Sequence, residues 1–195
     1  MPQAFGPDDL IACYRRGVFP MSDHRDDDFF YLVEPKMRGI LPLDNIHVSK
    51  SMRKFRRKTS FRVTINQDFP NVINACATHH GGTWISHAIE GLYSVLHGRG
   101  HTHSLEVWDD DQLVGGLYGV HQGGAFFGES MFSIRTNASK FALIHLVEHL
   151  IARDFILLDT QFLTDHLKSL GAIEIPQSEY LEKLNIALER KARFD

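Results

Sequence analysis

The spacing of apolar and polar residues along this chain predicts a mixture of helices and strands. Helical spacing covers 7–17, 50–57, 68–77, 86–98 and 137–153, and two more helices are predicted towards the end of the chain. Runs typical of strands cover 29–33, 38–43, 61–65, 104–108, 113–120, 125–128, 155–160 and 173–175. Asp109-Asp110-Asp111-Gln112 separates two of these runs and is typical of a hairpin turn. A mixture of this kind, with a hairpin at its centre, indicates the α+β class.

The composition of the chain argues against some classes of protein but does not identify its function. The 195 residues suffice for one domain with its own core, and the formal net charge of -3 argues against a general binder of polyanions. Cys13 and Cys76 lie far apart, which is typical of reduced thiols rather than of a disulfide or metal site. Neither a signal peptide nor a membrane-spanning run is evident. We therefore expect a cytoplasmic protein, and we expect it to act as a monomer.

Two short runs place polar side chains beside apolar ones and are candidates for a site. An apolar strand ends in Asp159 and Gln161, which are two residues apart and therefore share one face. Glu129 lies beside Met131, with Phe126 just upstream. Polar groups at strand ends next to apolar walls are typical of a binding site for a small group. Taken singly, these residues are equally well explained as a helix cap, a surface carboxylate and core residues.

Trp84 is a candidate for stacking against a flat partner. It follows Gly81 and Gly82, which allow a close approach, and its indole ring offers an apolar surface.

A basic segment without any acidic residue covers 45–67. On the helix predicted there, Lys50, Arg53, Lys54 and Arg57 fall on one face. This face is either a solvated helix surface or a contact for the phosphates of a nucleic acid, which such a patch binds without reading sequence.

The run His145-Leu146-Val147-Glu148-His149 fits the H-x-x-E-H pattern of one class of zinc peptidases. The apolar residues of this helix fill one arc, so that His145, Glu148 and His149 mark the opposite, solvent-facing arc. A catalytic zinc needs a walled cavity and a third ligand as well. We therefore expect no metal at this run.

A series of short segments, in order along nearly the whole chain, resembles the leucyl/phenylalanyl-tRNA–protein transferases. Their motifs include G-E-S-M at 128–131, D-T-Q at 159–161 and G-T-W-I at 82–85. The full set of matching segments is 14–20, 47–52, 82–85, 100–108, 113–120, 128–133, 137–140, 158–161 and 169–172. Together they extend the likeness from about residue 7 to 184.

The resemblance implies a fold and a reaction. It implies a small N-terminal region over 1–36 and a GNAT-like acyltransferase domain over 37–195. It also implies transfer of leucine or phenylalanine, with some methionine, from aminoacyl-tRNA to the α-amine of proteins that begin with arginine or lysine. The new N-terminus marks the product for N-end-rule degradation. The donor ester is already activated, so neither a metal nor a nucleotide cofactor is expected.

The resemblance also implies roles for individual residues. Asp159 and Gln161 correspond to the proposed catalytic pair of the family. Glu129 lies in the site, Met131 lines the amino-acid pocket and Trp84 faces the terminal adenosine.

Around these groups we expect further substrate contacts. Leu117, Phe126, Leu146 and Leu150 complete the apolar pocket, and Tyr14 contacts the substrate. The basic face described above holds phosphates of the tRNA acceptor stem.

Two positions depart from the pattern of the family. Met21 stands where members place a second tryptophan after F-P, so we do not expect an aromatic sandwich around adenine. Gln177 stands where many members have arginine.

Two further alternatives fit the sequence less well. An acetyltransferase that uses acyl-CoA needs a glycine-rich turn before its long helix, and 135–140 contains no glycine. A non-catalytic RNA-binding protein that uses only 49–62 leaves the polar groups at Glu129, Asp159 and Gln161 unexplained.

Overall fold

A computed structural model of the protein describes residues 5–79 and 82–195. Its helices are α1 (Pro7–Arg15), α2 (Lys50–Arg56), α3 (Phe69–Thr78), α4 (His87–Gly98), α5 (Ala138–Ala152), α6 (Asp165–Ser169) and α7 (Gln177–Leu188). Its strands are β1 (Phe19–Met21), β2 (Tyr31–Val33), β3 (Met37–Ile40), β4 (Arg62–Ile65), β5 (Thr102–Asp109), β6 (Gln112–Gln122), β7 (Ala125–Ser133), β8 (Leu157–Gln161) and β9 (Ile173–Pro176). Every predicted helix and strand has a counterpart, and β1 is an addition. None of the helices in these ranges is long and apolar enough to cross a membrane.

The central feature is a mixed sheet of seven strands in the order β4-β5-β6-β7-β8-β3-β9. Its neighbours pair antiparallel, except that β7 and β8 run parallel. β1 and β2 form a separate two-stranded antiparallel sheet. The predicted α+β class is therefore confirmed.

Local sequence explains several of the element ends. Asp109 pairs with Gln112, and Asp110 has a φ of 52°, as a two-residue hairpin turn requires. Ser49 and Ser86 cap α2 and α4 by accepting main-chain N–H groups. Asn137, by contrast, makes no side-chain cap for α5, because its own backbone is left-handed, with a φ of 71°.

Helices cover both faces of the large sheet, so its strands β6, β7 and β8 contribute apolar residues to the cores on both sides. Helices α1, α3, α4 and α7 contribute to one core cluster, and α2, α5 and α6 contribute to the other. Consecutive residues of β8 show the division, since Leu157 belongs to the first cluster and Leu158 to the second.

The parallel strands β7 and β8 stay paired for a short distance only. Pairing covers Ala125, Phe126 and Phe127 on β7, and it ends at Asp159 on β8. Both strands continue beyond that point, to Ser133 and Gln161. The last residues of each strand therefore lie beside a gap in the sheet, where their side chains and backbone are available to a ligand.

Irregular pairing occurs on both strands at this gap. Tyr118 is opposite Ser130 and Gly119 is opposite Gly128, so Glu129 is an extra, bulged residue of β7. Thr160 is likewise the extra residue of β8 against β3. A bulge bends its strand and redirects the side chains next to it.

The bulge in β7 depends on a close backbone approach at Gly119. A β-carbon at Gly119 would lie 2.2 Å from the carbonyl oxygen of Phe127 and 2.5 Å from the ring of Phe126. We expect Gly119→Ala to lower the free energy of unfolding by at least ~1–3 kcal/mol because of overpacking, as measured by urea denaturation.

Gly91→Ala provides the matched control. A β-carbon at Gly91 meets no atom within 4 Å, and the residue is exposed on α4. This change should leave stability unaltered or raise it by up to ~1 kcal/mol through helix propensity. Equal changes in the free energy of unfolding for Gly119→Ala and Gly91→Ala would contradict the close backbone approach at Gly119.

Candidate active site

A cavity of about 320 Å³ opens at the gap between β7 and β8. Its walls are mostly apolar, with polar groups at the strand ends. The lining residues are Phe19, Met21, Trp84, Leu117, Tyr118, Gly128, Glu129, Ser130, Met131, Leu143, Leu146, Leu158, Thr160, Gln161, Phe162, Thr164, His166 and Leu167. Such a combination is typical of a site that binds a small group.

Glu129 is the carboxylate of this cavity and is only 8% exposed. Tyr14 donates its hydroxyl to Oε1 at 2.7 Å, and Tyr93 donates to Oε2 at 2.8 Å. Gln161 donates from Nε2 to Oε1 at 3.1 Å. All three donors are neutral, so the carboxylate is hydrogen-bonded but has no cation as a direct partner among these contacts.

The two tyrosines also contact each other, with their hydroxyl oxygens 2.5 Å apart. Together with the two bonds to Glu129, this makes three oxygen–oxygen contacts. Two hydroxyl protons cannot fill three contacts while Glu129 is ionised. Protonation of Glu129 supplies the third proton, so the geometry favours the neutral acid.

The electrostatics of Glu129 point in the same direction. The pKa of Glu129 is raised from 4.5 to about 7, chiefly by burial and to a smaller extent by the charge of Asp159, while hydrogen bonds from Tyr14 and Tyr93 and the charge of Arg38 oppose the rise. The carboxyl group therefore exchanges its proton near neutral pH.

Asp159 is fully buried and has a very different environment. Arg38 binds it with two bonds, Nε to Oδ1 at 2.9 Å and Nη2 to Oδ2 at 2.7 Å. Tyr180 donates its hydroxyl to Oδ2 at 2.7 Å. The main-chain N–H of Gln161 donates to Oδ1 at 2.9 Å. Asp159 thus accepts four hydrogen bonds and is not part of the cavity wall.

Gln161 ends β8 in a left-handed conformation, with a φ of 54°. The proton of Glu129 is used in its contacts with the two tyrosines, so the carboxyl group can only accept from Gln161, and the carboxamide must present Nε2 to it. The carbonyl oxygen of Gln161 has no hydrogen-bond partner among the described residues. It is therefore available to a ligand, since the side chain lines the cavity.

The structure brings most of the predicted site residues together. Trp84, Glu129, Met131, Leu117, Leu146 and Gln161 line the cavity. Tyr14 lies behind Glu129, and Asp159 lies beneath Gln161. Of the two glycines predicted beside Trp84, Gly81 lies outside the described residues.

Phe126 and Leu150 lie outside the cavity wall, contrary to the predicted pocket. Phe126 sits opposite Leu158, where β7 and β8 are still paired, and its ring packs 5.1 Å from that of Phe194. Leu150 lies one helical turn beyond the lining residue Leu146 and is fully buried. The strands have no gap at this level, so neither side chain reaches the cavity.

Three residues whose side chains donate hydrogen bonds to Asp159 or Glu129 are absent from the sequence-based prediction: Arg38, Tyr93 and Tyr180. Arg38 was detectable, because it is the single charge in the apolar run 37–43, and a buried charge requires a partner. Tyr93 and Tyr180 lie on buried helix faces, where a tyrosine carries no signal that separates a site from core.

The predicted basic face lies on α2 and just after it. Lys50, Arg53, Lys54 and Arg57 are exposed, and they form no ion pair within the described part of the chain. Met52, on the other side of this helix, is buried in the core. The four cations are therefore accessible from solvent.

The H-x-x-E-H run is engaged in contacts within the protein. Glu148 pairs with Arg56 at 2.8 Å, and His149 contacts the carbonyl oxygen of Phe194 at 2.6 Å. Across residues 5–79 and 82–195, no group of three or more His, Cys, Asp or Glu side chains is arranged to hold a metal ion.

The family match and the similar proteins found by comparison carry the same name. The family described as "Leucyl/phenylalanyl-tRNA protein transferase" matches residues 40–185. Proteins named leucyl/phenylalanyl-tRNA–protein transferase from Hyphomonas neptunium and Maricaulis maris are 52% and 53% identical to this chain. The alignments cover 100% and 98% of this chain, and 76% and 90% of those proteins.

Among solved structures, FemX is similar in fold. The likeness has a TM-score of 0.55 at 11% identity, and it covers 87% of this chain and 65% of that chain. At this identity it shows a shared fold alone.

The raised pKa of Glu129 leads to a test by stability. Between pH 4.5 and about 7, the unfolded carboxyl group loses its proton while the folded one retains it. The folded state then binds more protons at this site, so Glu129 contributes a fall in the free energy of unfolding as pH rises through this window. Histidines whose pKa is lowered by burial, such as His103 and His121, contribute a rise over the same range. Urea denaturation of the wild type and of Glu129→Gln isolates the carboxyl group: the stability of the wild type relative to this variant should fall from pH 4.5 to about 7.

Glu182→Gln serves as the control, because Glu182 is exposed on α7. We expect this variant to keep the slope of the wild type. A difference in stability between the wild type and Glu129→Gln that does not change from pH 4.5 to 7 would contradict the protonation of Glu129.

Proposed function

Because this chain belongs to the leucyl/phenylalanyl-tRNA–protein transferase family, we propose that it transfers leucine or phenylalanine from aminoacyl-tRNA to the α-amine of proteins that begin with arginine or lysine. The acceptor then carries a new N-terminal residue that marks it for degradation. The observation that carries the proposal is the contact between Gln161 and Glu129 at the polar end of an apolar cavity. The zinc-peptidase and acetyl-CoA alternatives account for neither the family match nor this contact.

The reaction exchanges an ester for an amide. The nitrogen of the acceptor amine attacks the ester carbonyl carbon, a C–N bond forms, and the C–O bond to the terminal ribose breaks. The amine gives up a proton, and the ribose oxygen gains one. The α-amine has an ordinary pKa near 7.7–8.0, so a useful fraction is neutral at cytoplasmic pH. The chemistry balances without a metal or nucleotide cofactor.

Gln161 is the group we assign to align the amine. Its carbonyl oxygen is free to accept an N–H, since Glu129 holds the carboxamide nitrogen. Orientation of this kind can lower a barrier by up to roughly 7–11 kcal/mol. Asp159 supports Gln161 through the main chain.

Glu129 has two roles in this proposal. Its pKa of about 7 suits a group that takes up the proton of the amine at neutral pH. Once ionised, it also attracts the cationic acceptor or anchors polar groups of the donor.

The apolar part of the cavity is assigned to the transferred side chain. Leu117, Met131 and Leu146 line it as predicted, and Leu143 and Leu167 add to it. An apolar pocket separates ligands by only ~1–3 kcal/mol per methylene, so methionine should also be transferred, more slowly.

Trp84 is assigned to the terminal adenosine. Phe19 and Met21 line the same cavity. A thioether and a phenyl ring are thus present beside the indole, at the place where the family has a second tryptophan. Thioether sulfur packs favourably on flat aromatic groups.

We also retain two coarser proposals from the sequence. The chain is divided into a small N-terminal region, 1–36, and a GNAT-like catalytic domain, 37–195. In support, β1 and β2 form a sheet of their own, whereas the strands from β3 onward share the large one. The protein is proposed to act as a monomer in the cytoplasm.

An acyl-transfer assay tests the main proposal. tRNA charged with labelled leucine or phenylalanine is offered together with a peptide that begins with arginine. We expect label on this peptide, much less on the same peptide beginning with alanine, and none without the enzyme. No label on the arginine peptide would refute the transferase proposal, and equal label on both peptides would refute the acceptor assignment.

The basic face of α2 is proposed to hold phosphates of the tRNA. Replacing Arg53, Lys54 and Arg57 with glutamine should weaken tRNA binding and lower the slope of log affinity against log salt by up to about 3, because fewer counterions are released. Filter binding over a salt series measures both quantities.

Replacing Lys183, Arg190 and Lys191 with glutamine changes the net charge equally and serves as the control. Lys183 lies on α7, which packs on the opposite face of the sheet from α2. Unaltered affinity in the α2 variant would mean that its basic face is merely solvated.

A further inference from the structure

Arg38 and Asp159 form an ion pair that is buried on both sides. Their side chains are 1% and 0% exposed, whereas each of the other ion pairs in the described ranges has a partner that is at least 20% exposed. Replacing such a pair with apolar residues is often neutral or stabilising, so stability alone does not explain it. Its position directly beneath Gln161 suggests a role in the site.

The contacts run in a continuous series from Arg38 to the cavity. The guanidinium fork fixes both oxygens of Asp159. Asp159 Oδ1 accepts the main-chain N–H of Gln161. Gln161 in turn donates its carboxamide nitrogen to Glu129, at the cavity wall.

The backbone of Gln161 requires such support. A φ of 54° is uncommon for a residue other than glycine, and it persists only where its surroundings hold it. The bond from its N–H to Asp159 provides that hold. If Asp159 turned away, β8 could extend normally and the carboxamide would leave Glu129.

The same guanidinium also fixes the opposite wall. Its Nη1 donates to the carbonyl oxygen of Gly17 at 2.7 Å. It lies between the rings of Phe19 and Tyr180, 4.7 and 4.6 Å from their centroids, and Phe19 lines the cavity. A planar fork with several donors can make these contacts together, but the single ammonium group of lysine cannot.

We propose that Arg38 is a positioning residue for aminoacyl transfer, and that Tyr180 assists it. By fixing Asp159, Arg38 holds the left-handed turn at Gln161 and so aims its carboxamide into the cavity. Asp159 acts through the main chain of Gln161 and does not itself accept a proton from the substrate. This inference rests on the role proposed above for Gln161.

The test compares single and paired variants in the acyl-transfer assay. Arg38→Gln and Asp159→Asn each leave one charge buried and unpaired. Both should lower kcat on the order of 100-fold, as expected for a displaced reacting group, while KM for aminoacyl-tRNA changes less than about twofold. Arg38→Lys should lie between Arg38→Gln and the wild type, because the charge of Asp159 stays paired although the fork is lost.

The double variant Arg38→Gln/Asp159→Asn separates positioning from charge. It leaves no unpaired buried charge, and the amide oxygen that Asp159→Asn introduces can still accept the main-chain N–H of Gln161. We expect kcat at least about tenfold above that of either single variant. Arg99→Gln, which breaks the exposed pair with Asp8, should keep wild-type kcat.

Several outcomes would overturn the proposal. One is a folded double variant, judged by circular dichroism and tRNA affinity, that is as slow as the slower single variant. The charge of Asp159 would then be needed in its own right. Another is wild-type kcat in Arg38→Gln. An inactive wild type refutes the proposed function instead, so the two failures are distinguishable.

Tyr180→Phe keeps the test decisive if the Arg38 variants do not fold. It removes the hydroxyl bond to Asp159 and keeps the ring that packs on the guanidinium. We expect a fall in kcat of roughly three- to tenfold with unchanged KM for aminoacyl-tRNA. Unchanged kcat in this variant would overturn the proposal.

Discussion

The early separation of β7 and β8 is the constraint on which the rest of the site depends. These are the only parallel neighbours in the described sheet, and they stay paired up to Phe127 and Asp159. Below this level, the sheet is closed and packed by core residues such as Phe126. Above it, each strand has one free side, and that side carries the reactive groups. The cavity is therefore a property of strand geometry, and α5 and α6 merely close its apolar side.

Two carboxyl groups on adjacent strands share this region but differ in environment. Asp159 faces a guanidinium and two further donors, so both of its oxygens are bound and its charge is paired. Glu129 faces only neutral donors and is buried, which raises its pKa to about 7. The pair follows a common pattern in active sites, in which environment separates the tasks of two similar acids. Here one acid is held by four hydrogen bonds, and the other has its pKa near neutrality.

The sequence predicts those parts of the fold that depend on local signals. Serine caps, the acidic hairpin turn and the apolar spacing of α5 place most elements correctly. The short strand β1 escapes prediction because it has only three residues and Pro20 lies within it. Of the two polar groups predicted at the end of β8, Gln161 lines the cavity, whereas Asp159 is buried beneath it.

What the sequence does not predict depends on contacts between distant segments. The bulge that places Glu129 at the cavity is apparent only from the register of β6 against β7. Phe126 and Leu150 are apolar residues on the same elements as residues that do line the cavity, so the sequence does not distinguish them. Periodicity predicts which face of an element is buried, but it does not predict where along β7 and β8 the two strands separate. Arg38 reaches Asp159 because β3, from early in the chain, inserts beside β8.

The hydrogen bonds around the two carboxyl groups join segments from both ends of the chain. Tyr14 comes from α1, whereas Tyr180 comes from α7, the last helix of the described chain. During synthesis, the chain emerges from the ribosome in order, and α7 emerges late. A nascent chain therefore cannot complete these hydrogen bonds until the segment through α7 has left the ribosome. An enzyme that consumes aminoacyl-tRNA thus lacks the full set of these contacts during most of its own synthesis.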